Sequence, residues 1–200
     1  MYLYLTNETG VFDDNVRLLH VAPERVLSKE FVKHRNINYL TANLDPNARN
    51  PGMAEVMVKM DVTDIQYPDH SFDAIVCCMV LEHVPDDRKA ISEFYRTLKP
   101  GGWAILQVPV SLALDTTVED PTIKTRKGRE EAFGQADHVR LYAKDYKHRL
   151  EEAGFWVEEF EWTESPERYG GVANKYGLNE DEVVYCARKP ESTTASSTVP

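Results

Sequence analysis

The sequence predicts an α/β domain built on a mostly parallel β-sheet. Three observations carry this expectation. From residue 16 to about residue 189, strand-like apolar runs alternate with segments of helical period. Two of the runs, residues 72–80 and 103–110, are apolar almost without interruption, as strands buried on both faces of a parallel sheet are. The last two runs, 155–162 and 183–188, have no convincing crossover helix between them. They can close the sheet as a pair with an antiparallel edge strand.

Taken in order, residues 16–21 form the first strand. Pro23 follows it, suited to the first turn of a helix, and residues 24–34 carry Leu27 and Phe31 at helical spacing. Residues 37–42 read as the second strand, ending in Asn43-Leu44-Asp45-Pro46, and residues 56–60 as a short third strand running into Asp61. Tyr67-Pro68-Asp69-His70-Ser71 is turn chemistry ahead of the fourth strand, 72–80. Residues 86–98 are the clearest helix. Asp86 or Asp87 can cap it, Ile91, Phe94, Tyr95 and Leu98 share one apolar face, and Pro100-Gly101-Gly102 stops it. Residues 103–110 are the fifth strand. Residues 112–136 are polar and longer than most connections, and are read as a functional or mobile loop. A helix over 145–153 ends at Gly154, and the closing strands follow. A short N-terminal segment, 1–15, precedes the domain. Residues 190–200, mostly Ser, Thr, Ala and Pro, are expected to be a disordered tail.

The chain has 200 residues, 42% of them hydrophobic, and a net charge of −10. That is enough to bury a core, and the acidic balance argues against a nucleic-acid binder that works by bulk charge. No apolar run approaches a membrane span, and the N-terminus has no signal-peptide core. The three cysteines, Cys77, Cys78 and Cys186, show no Cys-x-x-Cys spacing. They suggest a reduced, cytoplasmic protein without a structural zinc site. No metal-spaced histidine pair and no Ser-His-Asp order stands out.

Ligands of open α/β sheets bind at the carboxyl ends of the strands, so the candidates lie there. The first strand ends His20-Val21-Ala22-Pro23-Glu24, without the glycines of a dinucleotide turn, which argues against a nicotinamide-dependent oxidoreductase. Glu24, near a helix N-terminus, suits a cationic ligand group, or simply caps the helix. Asp45, after the second strand, can accept from ribose hydroxyls, or serve an Asp-Pro turn. Asp61 can accept from an adenine amino group with Val62 as apolar contact, or cap its own loop. His83, after the fourth strand, can act as a base or a substrate contact, or hold structure through hydrogen bonds. Gln135, Asp137, His138, Arg140 and Tyr142 form a dense polar cluster beyond the long loop. Lys124, Arg126, Lys127 and Arg129 make a small basic run within that loop, read as a solvated face. Cys77 and Cys78 are read as packing residues.

Asp61, the 67–73 turn, Val80-Leu81-Glu82-His83-Val84, and Leu98-Lys99-Pro100-Gly101-Gly102 before the fifth strand resemble, in order and spacing, the class I S-adenosylmethionine-dependent methyltransferases, the type 11 branch in particular. The resemblance covers residues 16–189 and is weakest over 112–136. It implies a Rossmann-like seven-stranded sheet with helices on both faces and an antiparallel last strand. It also implies bound S-adenosylmethionine. Carried over by position, Asp45 would hold the ribose, Asp61 and Val62 the adenine, and Met79, Val80 and Leu81 would line the cofactor beside the sulfonium. The first motif departs from the family: His20 takes an acidic place, and Ala22, Glu24 and Val26 take glycine places. In this variant His20, Ala22, Pro23 and Glu24 would contact the cofactor, with Glu24 accepting from its ammonium group. The short N-terminus would give a partial lid, or leave the lid to a neighbouring subunit. The expected activity is methyl transfer to a small-molecule acceptor, not nucleic acid and not at a membrane. His83 and His138 are the candidate bases, oriented by Asp137 or Glu82, and Gln135, Asp137, Arg140 and Tyr142 the candidate substrate contacts. The competing expectation is a non-catalytic cofactor-binding or scaffold protein of the same fold.

Overall fold

The computed structural model describes residues 1–45, 47 and 57–191. The expected tail beyond 191, Pro46, and the first residue of the third expected strand, Val56, lie outside the described residues.

The expected alternation is present. The chain runs α1 (Tyr2–Glu8), β1 (Val16–Val21), α2 (Arg25–Phe31), β2 (Ile37–Asn43), β3 (Met57–Lys59), β4 (Phe72–Cys78), α3 (Asp87–Thr97) and β5 (Leu98–Gln107). It continues with β6 (Val118–Glu119), α4 (Arg126–Phe133), β7 (Arg140–Leu141), α5 (Tyr146–Glu152), β8 (Trp156–Phe160) and β9 (Val184–Arg188). Seven strands form one sheet in the order β3-β2-β1-β4-β5-β9-β8. The first five are parallel, and β9 runs antiparallel to both of its neighbours. The architecture is the Rossmann-like seven-stranded sheet that the resemblance implies.

The strand pleat sends alternate residues to two cores. Ile75 and Cys77 of β4 join Leu19, Leu106, Ile91, Phe94, Tyr146 and Leu150 on the α3/α5 side. Ala74, Val76 and Cys78 join Leu18, Ile105, Leu27, Phe31, Tyr4 and Leu5 on the α1/α2 side. All three cysteines are buried and unpaired, as packing residues are. The apolar runs of β4 and β5 are explained by this double burial. Asp86 caps α3 by accepting from the Lys89 N–H at 3.0 Å. The chain then passes directly into β5. Gly102 is held there by close approach, since a Cβ would stand 2.8 Å from the Asp73 carbonyl oxygen.

Two expectations need correction. The segment read as a loop over 112–136 holds regular structure. Thr125 caps α4 through the Gly128 N–H at 3.1 Å, and Gly134 ends it at a φ of 85°. β6 pairs antiparallel with β7, so residues 110–143 form an arm over the carboxyl edge of the sheet. Only Phe133 of α4 is buried, so the helix leaves no apolar period to read. The N-terminal segment is not a partial lid. α1 buries Tyr4 and Leu5 in the α1/α2 core, with the Tyr4 ring 4.9 Å from that of Phe160. Among the described residues no helix is long and apolar enough to cross a membrane.

Candidate cofactor and acceptor site

A cleft of about 490 Å³ opens at the carboxyl ends of β1, β2, β3 and β4. Its walls are mainly apolar, from Val21, Leu44, Met60, Val62, Met79 and Val80, with Asn43, Asp61 and His83 as polar groups.

At the β1 turn, Ala22 lines the cleft at a φ of 46°, a left-handed conformation that costs an L-residue about 1–2 kcal/mol. Its N–H is fixed by the Ala42 carbonyl at 2.7 Å. His20 is fully buried behind the turn. Its Nε2 stands 2.6 Å from Glu24 Oε2 and its Nδ1 2.8 Å from the Tyr39 hydroxyl. Burial pushes the Glu24 carboxyl up, but the bond and charge of His20 outweigh it and hold the group below its usual value. Pro23 is buried, and neither it, His20 nor Glu24 is on the cleft wall.

At the end of β2, Asn43 and Leu44 line the cleft, and Asp45 does not. Asp45 instead donates its N–H to Asn43 Oδ1 at 3.3 Å and accepts from the Asn47 N–H at 2.9 Å. After β3, Asp61 accepts from both the N–H and the hydroxyl of Thr63 at 2.8 Å, which keeps its carboxyl below its usual value. Val62 is beside it on the wall. After β4, Met79 takes a φ of 54° and is half-exposed on the wall, with Val80 next to it; Leu81 turns into the core.

A one-turn 3-10 helix, Leu81–His83, follows. His83 reaches the cleft wall, and Glu82 points away into the protein, only 2% exposed. Burial raises the Glu82 carboxyl above its usual value. His138 comes from the arm, 4% exposed, its imidazole edge-on to that of His83 with ring centres 4.8 Å apart. Burial, and then the neighbouring His83, lower its pKa and favour the neutral ring. His83 Nδ1 lies 3.4 Å from the Asp137 carbonyl and 3.6 Å from its carboxylate, so Asp137 does face this imidazole.

Arg140 and Tyr142, expected as substrate contacts, are buried and turned to partners within the protein. Arg140 is buried and directs its nitrogens to the carbonyls of Leu81 (2.7 Å), Val84 (2.5 Å) and Pro85 (2.9 Å), and to Glu119 (3.1 Å). The Tyr142 hydroxyl donates to Asp87 at 2.7 Å, inside the protein. Both side chains clamp the arm to the turn after β4. Gln135 and Asp137 are exposed at the arm's edge, and the basic run lies mostly exposed on and beside α4.

Residues 24–106 match the Methyltransf_11 family, a methyltransferase domain. Over 125 residues, 56% of this chain, the sequence is 31% identical to the 27-O-demethylrifamycin SV methyltransferase of Amycolatopsis mediterranei. Over 161 residues, 72% of this chain, it is 27% identical to a ubiquinone/menaquinone biosynthesis C-methyltransferase of Brucella canis. The chain spans 43% and 51% of the lengths of these two relatives. Among solved structures, the fold matches the 1,6-didemethyltoxoflavin-N1-methyltransferase of Burkholderia thailandensis, described with bound S-adenosylhomocysteine. The TM-score is 0.59 at 15% identity, covering 89% of this chain and 72% of the other. The family match, to a methyltransferase domain, runs from the turn after β1 into β5.

The strand ends supply Ala22, Asp61, Val62, Met79, Val80 and His83 of the expected site residues to one cleft. Sequence reasoning passed over Asn43, Met60 and Thr63, which line it too. Asn43 was findable as the last residue before the turn. Glu82 and His83 meet His138 across the 54 residues that separate positions 83 and 138, and no local spacing announces them.

Proposed function

We propose that this chain binds S-adenosylmethionine in the strand-end cleft and methylates a small-molecule acceptor held toward the arm. The observation that supports this best is the cleft: its volume, about 490 Å³, and its apolar walls with a few polar groups suit an adenosyl ligand. Asp61 accepts from the adenine amino group, and Val62, Leu44 and Met60 pack on the ring. Asn43 binds the ribose hydroxyls, with Asp45 fixing its amide. Ala22 and the backbone of its turn meet the methionine part. Glu24, already engaged by His20, orders that turn from behind and receives the ammonium group only at its free edge. Met79 and Val80 line the reacting end.

The bound cofactor supplies a methyl group already activated on a sulfonium. The protein's task is to hold the acceptor in line and to exclude water. His83, on the wall, and His138 behind it mark the acceptor end and manage the proton that a hydroxyl or amine must lose. Gln135 and Asp137 contact the acceptor from the edge of the arm. The names of the relatives, which include rifamycin and quinone methyltransferases, favour a small organic acceptor.

Calorimetric titration with S-adenosylmethionine, S-adenosylhomocysteine and NAD tests the reading. The two adenosyl ligands should bind at micromolar concentration and NAD should not. Asn43→Ala and Asp61→Ala should each weaken adenosyl binding by about 10-fold or more, the worth of a charge-assisted or ribose hydrogen bond. Absence of adenosyl binding overturns it. The strained Ala22 and the locked Glu24 favour one second reading, a cofactor-binding protein without turnover. That reading predicts the same binding with no methyl transfer to any hydroxyl, amine or carbon acceptor tried.

A further inference from the structure

Glu82, His83 and His138 form the one group of metal-ligating side chains that converges among the described residues, each offering a ligand atom within 4.8 Å of the others. We propose that these three residues bind a divalent transition-metal ion, Zn²⁺ in the first place, at the acceptor end of the cleft.

The carboxylate makes the first argument. Glu82 is 2% exposed, and its Oε2 is buried without a hydrogen-bond partner among the described residues. An unpaired buried carboxylate is a large cost unless something cationic meets it. The nearby cation does not: Arg140 sends all its nitrogens to the carbonyls of Leu81, Val84 and Pro85 and to the Glu119 carboxylate.

The imidazoles make the second. His138 Nδ1 lies 3.3 Å from the Phe133 carbonyl, and His83 Nδ1 lies 3.4 Å from the Asp137 carbonyl. A carbonyl only accepts, so in the neutral form of each ring Nδ1 carries the proton and Nε2 is left with its lone pair for a ligand. A carbonyl behind each ligating histidine is the outer support that metal sites use to fix ring orientation and tautomer. His83 Nε2 is already 4.0 Å from Glu82 Oε1.

The backbone makes the third. Glu82 and His83 share one helical turn, and His138 is tied to it through the residues that follow. Val139 N–H donates to the Glu82 carbonyl at 2.9 Å, and Arg140 grips the carbonyls on either side of the pair. Modest side-chain rotation brings the three atoms to the 2.0–2.2 Å zinc–ligand distances. Two imidazoles and one carboxylate select zinc, iron(II) or cobalt(II) over magnesium or calcium, which prefer all-oxygen sites. Three protein ligands leave a coordination position open, and His83 on the wall turns that position to the cleft. The ligand class it would take is a hydroxyl or a pair of adjacent oxygens on the acceptor, whose pKa a metal lowers. This last point rests on the methyl-transfer reading; metal binding does not.

The test uses the full chain, without an affinity tag, stripped by chelator and titrated with Co²⁺ as a visible reporter and with Zn²⁺ by calorimetry. One ion per chain should bind at micromolar concentration or tighter. Glu82→Gln and His138→Gln should each weaken it at least 10-fold, while a His34→Gln/His148→Gln control should not. Circular dichroism of each metal-free variant checks folding, and the half-exposed His83→Gln serves if a buried variant fails to fold. Failure to bind an ion, or binding that ignores all three positions, overturns the proposal. S-adenosylhomocysteine titrated into the same samples separates the two readings: metal without adenosyl binding removes the proposed function alone, and adenosyl without metal binding removes this inference alone.

Discussion

Two buried polar clusters sit side by side where the arm meets the turn after β4, and they are satisfied very differently. In one, the Asp87 carboxylate takes the Tyr142 hydroxyl at 2.7 Å and Arg149 at 3.0 Å, with Arg140 at 3.5 Å. Glu119 takes Arg140 at 3.1 Å and Arg149 at 2.8 Å. Of its buried side-chain polar atoms, Arg149 Nε alone lacks a partner. In the other, Glu82, His83 and His138 face one another with a carboxylate oxygen unmet and two imidazole nitrogens turned inward. The two clusters share the same backbone, and each holds one partly exposed member, Glu119 in the first and His83 in the second. The first is closed on itself and its work is to hold the arm down. The second is open at its centre, which is how a site for something else is built. Burial alone would not have told them apart; counting donors against acceptors does.

Substitutions sharpen that contrast. Arg140→Met should have the largest effect. It leaves the carbonyls of Leu81, Val84 and Pro85 without their donor and takes a cation from the buried Asp87 carboxylate at 3.5 Å, and removing one side of a buried ionic pair costs about 3–5 kcal/mol. Urea denaturation should show it, and a loss under about 1 kcal/mol would mean the clamp is not structural. Tyr142→Phe takes away a single bond to a charged acceptor and should cost about 1.5–3 kcal/mol by the same measurement. Glu82→Gln should do the opposite. In metal-free protein it removes a buried charge one of whose oxygens has no partner, so stability at neutral pH should hold or rise by about 1 kcal/mol. Its pH dependence has a definite sign. Burial raises the folded pKa of Glu82 above the ordinary 4.5, so its favourable share is present below pH 4.5 and is lost as pH rises through the folded value. The advantage of the variant should therefore widen upward from pH 4.5. Denaturation midpoints at pH 4 and 7 that show the gap shrinking instead would deny that Glu82 is an unmet buried acid.

The same contrast explains what could be read without coordinates. The central strands were legible because burial on both faces leaves an unbroken apolar run, as in Ala74–Cys78. α3 was legible from its cap at Asp86 and its Ile91/Phe94 face. The arm was not, because β6 and β7 are two residues each and α4 buries only Phe133. Arg140 and Tyr142 read from the sequence as substrate contacts because charged and hydroxylated residues are usually accessible; their burial depends on partners such as Asp87 and Glu119, contributed by distant segments. At the cofactor end, Asp45 drew attention as the acid after β2, whereas the residue on the wall is Asn43, at the last position of the strand. Strand-end positions could be placed to within a residue or two. Which side chain faces inward there depends on how the turn leaves the sheet.

The place of β9 bears on how this molecule is made. It comes after every other strand in sequence, yet it lies between β5 and β8. While the chain is being synthesised, its earlier segments are free to collapse first, since folding proceeds from the N-terminal side as residues emerge. Until Val184–Arg188 is available, β5 and β8 each face a gap with an unpaired row of backbone groups. The sheet is thus completed by one late insertion that joins two edges at once. A nascent chain stalled before this strand is not a slightly shorter domain. It is one with two exposed edges, the form most open to strand exchange with its neighbours and most in need of a chaperone's cover.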